Sequence, residues 1–427
     1  MQKFYPDRIL KKLANLQFAI ILLFLICLIV ALGTFIEQDQ TINFYKLNYP
    51  TVNPILKFID WRIILFLHLD RVYSSWWFFL IIFIFSLSLL SCTLTVQFPS
   101  LRRFKRWKFY NNFENLDGIK SILPANASNN FAYQLHLSKY HIFRQGKTSY
   151  AYSGLLGRVG PIVVHASLIL LLFGTTISSL QGFVAQEIVP RGEIFHIQNL
   201  VKVGSFSNIS QNLSWRVNDF WITYTDTLKT NQFYSDLSIL DNLGNELKRK
   251  TIFVNEPFIY KEFTLYQTDW DIVGLKVQQT NGSLVQLPLK KVLKNNKKFW
   301  FSTLNLDSNV TLSVLINDLE GTMFLYDQNG TFLQRAHIGE KINYQKFDLL
   351  FLDYLTSTGL QIKSDQGLIM VYLSFFFLII SVYVSFISYS QIWILQDIDN
   401  LSLQGNSNRA VLLFQTEFRK LIRQTSK

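Results

Sequence analysis

Long apolar runs alternate with polar stretches along this chain, and four of the runs have the length of a membrane span. A helix rises 1.5 Å per residue, so about 20 consecutive apolar residues cross the hydrocarbon core of a bilayer. The four runs are Leu16–Phe35, Trp76–Val96, Pro161–Leu180 and Gly367–Tyr389. The pattern predicts an α-helical membrane protein whose four transmembrane helices, with their flanking residues, occupy 16–36, 76–97, 161–180 and 367–390.

The chain between the third and fourth runs has a different pattern. Residues 181–366 contain short segments in which apolar and polar residues alternate, such as Ser214–Thr225 and Phe233–Leu240. A period of two is typical of strands, and turn-forming sequences such as Asn281-Gly282 and Gln328-Asn329-Gly330 separate the segments. The pattern predicts a large mainly-β domain, a sandwich or a barrel-like fold, inserted between helices three and four.

Four shorter segments complete the predicted organisation. They are a basic N-terminus (1–15), a short loop with an interfacial helix (37–75), a basic loop (98–160) and a C-terminal tail (391–427). The interfacial helix is predicted from the apolar patch Trp61–Leu69, which is too short and too interrupted by charge to span a bilayer.

Composition supports a membrane protein. The chain is 49% hydrophobic and only 16% charged, whereas soluble proteins carry about 25% charged residues. The first apolar run is long and no small-residue cleavage site follows it, so we expect no cleavable signal peptide. No Arg- and Ser-rich transit peptide precedes it, so we expect synthesis in a bacterium or inside the organelle where the protein works.

The positive charge is concentrated in one loop. The formal net charge is +12, and residues 98–160 hold ten Lys or Arg against two Asp or Glu, while residues 181–366 hold eighteen against nineteen. Basic loops stay on the cytoplasmic side of a membrane. The asymmetry places 98–160 and both termini on the cytoplasmic or stromal side, called the near side below, and places 37–75 and 181–366 on the far side.

The same asymmetry argues against a nucleic-acid partner. The basic cluster follows the second run directly, where polybasic segments attract anionic lipid headgroups. We therefore expect membrane lipids rather than nucleic acid to contact it. Its members are Arg102, Arg103, Lys105, Arg106 and Lys108.

No self-contained active site is visible in the sequence. The two cysteines, Cys27 and Cys92, lie inside apolar runs, and without a CxxC motif there is neither a thiol-exchange site nor a covalent haem attachment site. Asp269 and Asp271 share one face of a predicted strand, but no histidine accompanies them, so we interpret them as a solvated edge. The chain is either non-catalytic or a co-catalytic subunit.

His165 is the residue with the clearest chemical potential. It lies inside the third run, and ionisable side chains in lipid normally face a partner, a cavity or a cofactor. Neutral imidazole is an axial ligand of haem iron. A histidine that only packs against a neighbouring helix is the alternative, and position alone leaves both open. For His68, His196 and His337 we expect surface positions.

Six separated stretches, in order along nearly the whole chain, resemble the ResB/CcsB family of System II cytochrome c biogenesis proteins, and its cyanobacterial and plastid branch best. Gln366 departs from the pattern, since many relatives have a proline there. The stretches are Leu32–Gln38 (LGTFIEQ) with Phe44-Tyr45 and Asn48-Tyr49-Pro50, Leu69–Phe78 (LDRVYSSWWF), Ser91–Thr95 (SCTLT), Arg158–His165 (RVGPIVVH), Tyr266–Trp270 (YQTDW) and Thr358–Gly367 (TGLQIKSDQG).

The resemblance implies a subunit of a haem-delivery and cytochrome c synthase complex. Such a subunit works with a CcsA-type multi-span haem-handling protein and serves apocytochromes c on the far side. The nine tryptophans are scattered, which fits a separate haem-handling partner. The family's intramembrane histidine maps onto His165, which implies a haem axial ligand or the entrance for haem. Haem b is then a transient substrate that the iron-binding His165 holds, with no stable cofactor. The implied location is a thylakoid membrane, with 181–366 in the lumen.

The position of His165 agrees with this role. Seven residues separate it from Arg158, about 10 Å along a helix, so a haem made on the near side would meet it early. The alternative function is an apocytochrome c-binding scaffold or chaperone that never contacts haem. A membrane sensor or transporter is a weaker third hypothesis, because the loops lack kinase and helix-turn-helix motifs.

The charge asymmetry yields a test of topology. A reporter that is active only on the far side should be active when fused at Lys290 and silent when fused at Lys120, because the positive-inside bias retains 98–160 on the near side. The opposite pattern of reporter activity would overturn every assignment of sidedness made above.

Overall fold

The structure is a computed structural model, and the chain forms two compact units: residues Met1–Ser179 with Gly367–Lys427, and residues Leu180–Gln366. Lys3 of the basic N-terminus and Asn281 of one predicted turn lie outside the described residues. The structure describes residues 8–51, 60–113, 117–209, 213–224, 230–279, 282–294, 297–307, 310–317 and 321–426.

Four helical segments are long and apolar enough to cross a membrane, which confirms the four predicted apolar helices. The second segment, Trp76–Phe104, is longer than predicted because a π-helical turn, Thr93–Gln97, joins two α-helices without a break. The α-helices of the described chain are α1 (Arg8–Leu13), α2 (Leu16–Phe35), α3 (Ile42–Asn48), α4 (Trp61–Phe66), α5 (Trp76–Cys92), α6 (Phe98–Phe104), α7 (Ser128–Leu137), α8 (Gly160–Gln181), α9 (Leu368–Ser385) and α10 (Val411–Thr425).

The apolar helices pack through two kinds of contact. Leu22, Phe85 and Leu89 are buried where α2, α5 and α8 meet. Helices α8 and α9 instead approach backbone to backbone: a Cβ atom on Gly160 would lie 2.7 Å from the Cα of Ser385. Small residues allow such approaches between helices in lipid. Many of the remaining apolar side chains of the four segments are partly or fully exposed.

The described residues between α2 and α5, 36–51 and 60–75, form a small cap. In this cap, stretches that are separate in the sequence contact each other. The Gln38 amide nitrogen donates to the carbonyl oxygens of Ile36 (2.7 Å) and Leu69 (3.0 Å), and its oxygen accepts from the Val72 N–H (3.0 Å). Tyr45 is fully buried beside it. One glutamine side chain thus cross-links LGTFIEQ to LDRVYSSWWF. The apolar patch predicted as an interfacial helix forms α4.

The predicted near-side loop and C-terminal tail fold together. Their strands are β1 (Ile119–Pro124), β2 (His141–Gln145), β3 (Thr148–Ser153), β20 (Ser390–Gln396) and β21 (Asn400–Ser407), numbered along the whole chain. They form one antiparallel sheet in the order β1-β21-β20-β3-β2. We call this sheet with α7 and α10 the α/β subdomain. It is a larger structure than the loop and tail that we expected from the sequence.

Helix α10 explains why the tail is ordered. Phe414, Phe418 and Leu421 are spaced at four and three residues, so they form one apolar stripe, and all three are buried on the sheet with Phe131 and Leu135 of α7.

The opposite face of this sheet is covered by the segment that follows α6. The ring of Trp107 stacks on Phe143 at 4.1 Å between centroids, and Phe113, Tyr150 and Trp393 form a buried cluster. The α/β subdomain therefore has apolar cores on both faces of its sheet.

The second unit is built almost entirely of antiparallel strands, which confirms the predicted mainly-β domain. The strands are β4 (Phe183–Pro190), β5 (Ile194–Phe195), β6 (Leu200–Val203), β7 (Ser214–Tyr224), β8 (Thr230–Leu240), β9 (Glu246–Phe253), β10 (Phe258–Tyr260), β11 (Phe263–Gln279), β12 (Leu284–Pro288), β13 (Lys290–Lys294), β14 (Lys297–Asp307), β15 (Val310–Ile316), β16 (Thr322–Tyr326), β17 (Phe332–His337), β18 (Lys341–Tyr344) and β19 (Phe347–Ser364).

Three sheets share these strands. The central sheet has the order β10-β11-β19-β4-β6, with β12 and β18 paired at its side, and the outer sheets are β13-β14-β15-β16-β17 and β5-β7-β8-β9. Two apolar cores lie between the sheets, one around Trp300 and one around Trp215. The unit is thus a layered sandwich rather than a closed barrel in the residues described.

The longest strand pair joins two of the six resembling stretches. In β11 and β19, Asp269 lies opposite Gly359 and Trp270 opposite Thr358. A Cβ atom on Gly359 would lie 2.8 Å from the Cβ of Asp269, so a larger residue there would displace the strand. The stretches YQTDW and TGLQIKSDQG are therefore paired and closely packed against each other.

Truncating the α10 stripe should loosen the α/β subdomain. Phe418 is 0% exposed and Leu412, in the same helix, is 78% exposed. We expect Phe418→Ala to lower the free energy of opening of α10 by about 3 kcal/mol or more, because a buried ring is lost. Leu412→Ala should change it by less than about 0.5 kcal/mol. Amide hydrogen exchange of α10 in the full-length chain measures both, and equal protection in the two variants would contradict this packing.

Candidate functional site

His165 lies in the first two turns of α8 and faces the end of the preceding apolar helix. Its side chain is half-buried, and three of its hydrogen-bond contacts come from residues of the π-helical turn. Thr93 Oγ1 lies 3.1 Å from Nδ1, and the amide nitrogen of Gln97 lies 3.1 Å from Nε2 and 3.4 Å from Nδ1. The imidazole is therefore held between two helices and not directed at lipid alone.

The hydrogen-bond network assigns the tautomer of the ring. Thr93 Oγ1 donates its only hydrogen to the carbonyl oxygen of Leu89, at 2.8 Å. It can then only accept from His165, so the hydrogen of the neutral imidazole resides on Nδ1. Nε2 keeps its lone pair, which the Gln97 amide covers. An imidazole whose Nδ1–H is fixed by a second group is the arrangement found in metal-ligating histidines.

The Gln97 amide, which donates to this lone pair, is held in place only weakly. Its amide oxygen is inaccessible and has no hydrogen-bond partner within the described part of the chain. A buried unsatisfied acceptor costs about 1–3 kcal/mol. The Gln97 side chain therefore gains little from its present position, and its rotation uncovers Nε2.

The two polar side chains that contact the ring, Thr93 and Gln97, are four residues apart, so they share one face of the segment. The N–H of Phe98 bonds to the carbonyl oxygen of Thr93, five residues earlier, which widens the turn and shifts the register of the following residues. Such turns inside α-helices are frequent at functional sites. Here the two ends of the turn, Thr93 and Gln97, both contact His165.

Arg158 ends the 3₁₀ turn Leu155–Arg158 directly before α8, seven residues before His165, and contacts two aromatic rings. Its guanidinium carbon is 3.8 Å from the ring centre of Phe104 and 5.4 Å from that of Tyr389. Burial lowers the pKa of this guanidinium from its usual value. Nε is inaccessible and has no hydrogen-bond partner among the residues that the structure describes.

Tyr389, one of the two rings beside Arg158, is fixed by contacts of its hydroxyl group. Its hydroxyl lies 3.0 Å from the hydroxyl of Tyr150 and 3.3 Å from the carbonyl oxygen of Phe104. Burial, followed by the hydrogen bond with Tyr150, raises the pKa of Tyr389 well above its usual value. The phenol is therefore neutral, and it presents a ring face rather than a negative charge to Arg158.

The other histidines lie where we expected them. His68, His196 and His337 are all exposed. His68 occupies a left-handed backbone position before a 3₁₀ turn, and the N–H of His337 donates to Glu340 at 2.8 Å. His196 and His337 belong to the mainly-β unit. His68 belongs to the same unit as His165 but lies in the cap that precedes α5.

The paired aspartates of β11 are neutralised by lysines. Asp269 lies 3.3 Å from Lys298 Nζ, and Asp271 lies 3.6 Å from Lys291 Nζ. Asp271 also accepts a hydrogen bond from the indole of Trp300. Each carboxylate thus has a structural partner. Within the described ranges, no three His, Cys, Asp or Glu side chains form a group able to hold a metal ion.

The fold and this site define a protein with four apolar helices, a mainly-β unit and one half-buried histidine between two of the helices. The chain matches the ResB-like family over residues 16–333. It therefore belongs to the ResB-like family, which confirms the resemblance seen in the six stretches.

Three relatives show how complete the similarity is. The chain is 52% identical over 427 residues to cytochrome c biogenesis protein Ccs1 of Emiliania huxleyi, covering 99% of this chain and 97% of the relative. It is 45% identical over 422 residues to Ccs1 of Pyropia yezoensis, covering 98% and 96%. It is 44% identical over 421 residues to Ccs1 of Thalassiosira pseudonana, covering 98% and 100%.

The tautomer assignment can be tested directly. In Thr93→Val one acceptor for Nδ1–H is lost and the neighbouring Leu89 carbonyl oxygen remains. We therefore expect the ¹⁵N spectrum of labelled His165 to shift from the Nδ1–H form toward a mixture of both neutral tautomers, without complete loss of the Nδ1–H form. Thr95→Val is the matched control, because Thr95 Oγ1 donates to the Ser91 carbonyl oxygen in the same way and has no described bond to His165. A wild-type spectrum dominated by the Nε2–H form would refute the assignment.

Proposed function

We propose that the chain is a membrane subunit of a haem-delivery and cytochrome c synthase complex, required for the biogenesis of c-type cytochromes. The names of its relatives support the role in cytochrome c biogenesis. In this proposal the four apolar helices span a thylakoid membrane. The α/β subdomain lies on the stromal side, and the mainly-β unit, between the third and fourth spans, lies in the lumen.

The geometry of His165 carries the proposal. A haem axial ligand must be a neutral imidazole that presents a lone pair. The Thr93 hydroxyl fixes the hydrogen on Nδ1, so Nε2 is the nitrogen that binds iron once the Gln97 amide moves aside. Haem is the substrate that passes through the site, and His165 holds it during transfer.

A single protein ligand suits a haem that is passed on. In the described residues, His165 belongs to no group of three or more His, Cys, Asp or Glu side chains that could hold a metal ion. The second axial position is then left to a neighbouring chain, and we propose the CcsA-type multi-span haem-handling protein as that partner. The exposed apolar surfaces of α2, α5, α8 and α9 offer room both for lipid and for this partner.

The mainly-β unit faces the acceptor in this scheme. We propose that apocytochromes c meet the complex on the lumenal side, where haem is attached. The chain itself contains no CxxC motif, so it does not carry the haem thioether bonds that the product carries. Its part is to hold haem and the partner, as a non-catalytic or co-catalytic subunit.

Removal of the imidazole tests the proposal. We expect His165→Ala to reduce the assembly of c-type cytochromes to a small fraction of the wild-type level, while the chain remains inserted and bound to its partner. A pure packing role predicts far less, since a hydrogen bond in a membrane averages about 0.6 kcal/mol. Added imidazole should restore part of the assembly by replacing the lost ligand. Haem-stained gels and the absorption spectrum of the purified complex measure both effects.

His337→Ala is the matched control, because His337 is an exposed histidine of the mainly-β unit and should leave assembly unchanged. If His165→Ala assembles c-type cytochromes at the wild-type level, the imidazole only packs. The apocytochrome-binding scaffold that never contacts haem would then be the better function.

A further inference from the structure

Arg158 is an unneutralised cation in a half-buried position. Within the residues that the structure describes it makes neither a hydrogen bond nor an ion pair, and its Nε is inaccessible. By contrast, Arg216 and Arg249 of the mainly-β unit each bind a carboxylate. A desolvated cation without a counter-ion is costly, so this position calls for an anion that the chain itself does not supply.

The aromatic contacts of Arg158 do not satisfy its donors. The rings of Phe104 and Tyr389 lie against the guanidinium, and a cation–π contact uses the face of the ring and of the cation. The N–H groups point outward from the edge of the guanidinium plane in a fixed fork. The rings therefore orient the guanidinium, and its terminal Nη groups, which unlike Nε are not enclosed, remain available for a planar oxyanion such as a carboxylate.

The fork and the imidazole lie along one helix–helix contact. Two residues of the second apolar segment make these contacts: Gln97 contacts His165, and Phe104, further along the chain, contacts Arg158. Gln97 and Phe104 are seven residues apart on this segment, which is two turns or about 10 Å. On the other side of the contact, Arg158 ends the 3₁₀ turn Leu155–Arg158 directly before α8, and His165 lies in the first two turns of α8. The separation between Gln97 and Phe104 is comparable to the reach from the centre of a porphyrin ring to the end of a propionate arm. Residues seven apart also share one face of a helix.

We propose that Arg158 binds a propionate carboxylate of the haem whose iron is bound by His165. The inference rests on the proposed function and adds the second point of attachment. Two points fix the direction of the haem: the iron lies deeper, beside the π-helical turn, and the propionates point to the near-side surface. Arginine suits this position better than lysine, because its planar fork is already oriented by Phe104 and Tyr389.

Other cations near this position do not replace Arg158. Arg409 is close enough to oppose the charge of Arg158, but its guanidinium donates to the carbonyl oxygen of Ser385. Arg103 lies in α6 and is exposed. Substitution of Arg103 removes one positive charge and leaves the rings of Phe104 and Tyr389 around Arg158 in place. Arg103→Met is therefore a matched control.

A comparison of haem with its dimethyl ester tests the inference, because the ester has the same iron and ring but no carboxylates. The full-length chain is reconstituted in phosphatidylcholine nanodiscs, and the affinities for both ligands are read from the Soret band. We expect the wild type to prefer haem by about 10- to 100-fold, the loss expected for a hydrogen bond to a charged group. Arg158→Met should bind both equally, Arg158→Lys should keep part of the preference, and Arg103→Met should keep all of it.

The controls separate the two levels of the proposal. If the wild type shows no Soret band that His165→Ala removes, the proposed function fails. If that band is present but the wild type binds haem and ester equally, or Arg158→Met keeps the preference, only the role of Arg158 is refuted. Should Arg158→Met fail to fold, Arg158→Lys decides, since a preference equal to that of the wild type would refute a bidentate contact.

A lipid phosphate is the competing anion for Arg158. Nanodiscs with phosphatidylglycerol distinguish it: if Arg158 binds the lipid, anionic lipid binding falls in Arg158→Met and the ratio of haem to ester affinity stays near one in every variant. That result would overturn the proposal. If the ratio of haem to ester affinity in phosphatidylcholine nanodiscs falls in Arg158→Met, the proposal is supported.

Discussion

The contact between α8 and the segment α5–α6 is the constraint on which the candidate site depends. The two helices are neighbours where α5 passes into α6 and where α8 begins. The polar groups of the site lie on these helices, on the 3₁₀ turn before α8 that ends in Arg158, or on Tyr389 beside them. Thr93 and Gln97 lie at the two ends of the π-helical turn, four residues apart, and both contact one imidazole from the same face of the segment.

The helices around this contact are held by very different means. Bulky side chains join α2, α5 and α8, whereas glycines let α8 and α9 touch at Gly160 and near Gly174 and Gly367. Glycine contacts leave no room for small rearrangements, since a single methyl group would meet backbone atoms. Helix α8 therefore has one rigid side, toward α9, and one side with an adaptable polar contact, toward α5–α6.

The sequence predicted the coarse architecture well, because its signals are local. Apolar runs of about 20 residues define the four helices, and alternation defines the strands of the mainly-β unit. His165 was identified because an ionisable group in an apolar run is conspicuous. Gln97 was missed because it lies just past the predicted end of the second run, and the π-helical turn that extends the helix has no recognisable sequence pattern. Arg158 was noted only as a marker of distance, since its lack of a partner is a property of the packed structure.

The α/β subdomain was the larger omission, and the reason is physical. Its strands come from 119–153 and 390–407, and pairing between such distant segments leaves no periodic signal in either. The amphipathic stripe of α10 was present in the sequence, but an isolated amphipathic helix does not reveal the sheet that it covers.

That sheet also dictates an order of events during synthesis. Strand β1 pairs only with β21, and β3 reaches β1 only through β20 and β21. The strands within residues 119–153 therefore wait, incompletely paired, while the ribosome makes the mainly-β unit and α9. Closure of the sheet then requires that both ends of the intervening chain come back together. A chain truncated before β20 leaves these strand edges open.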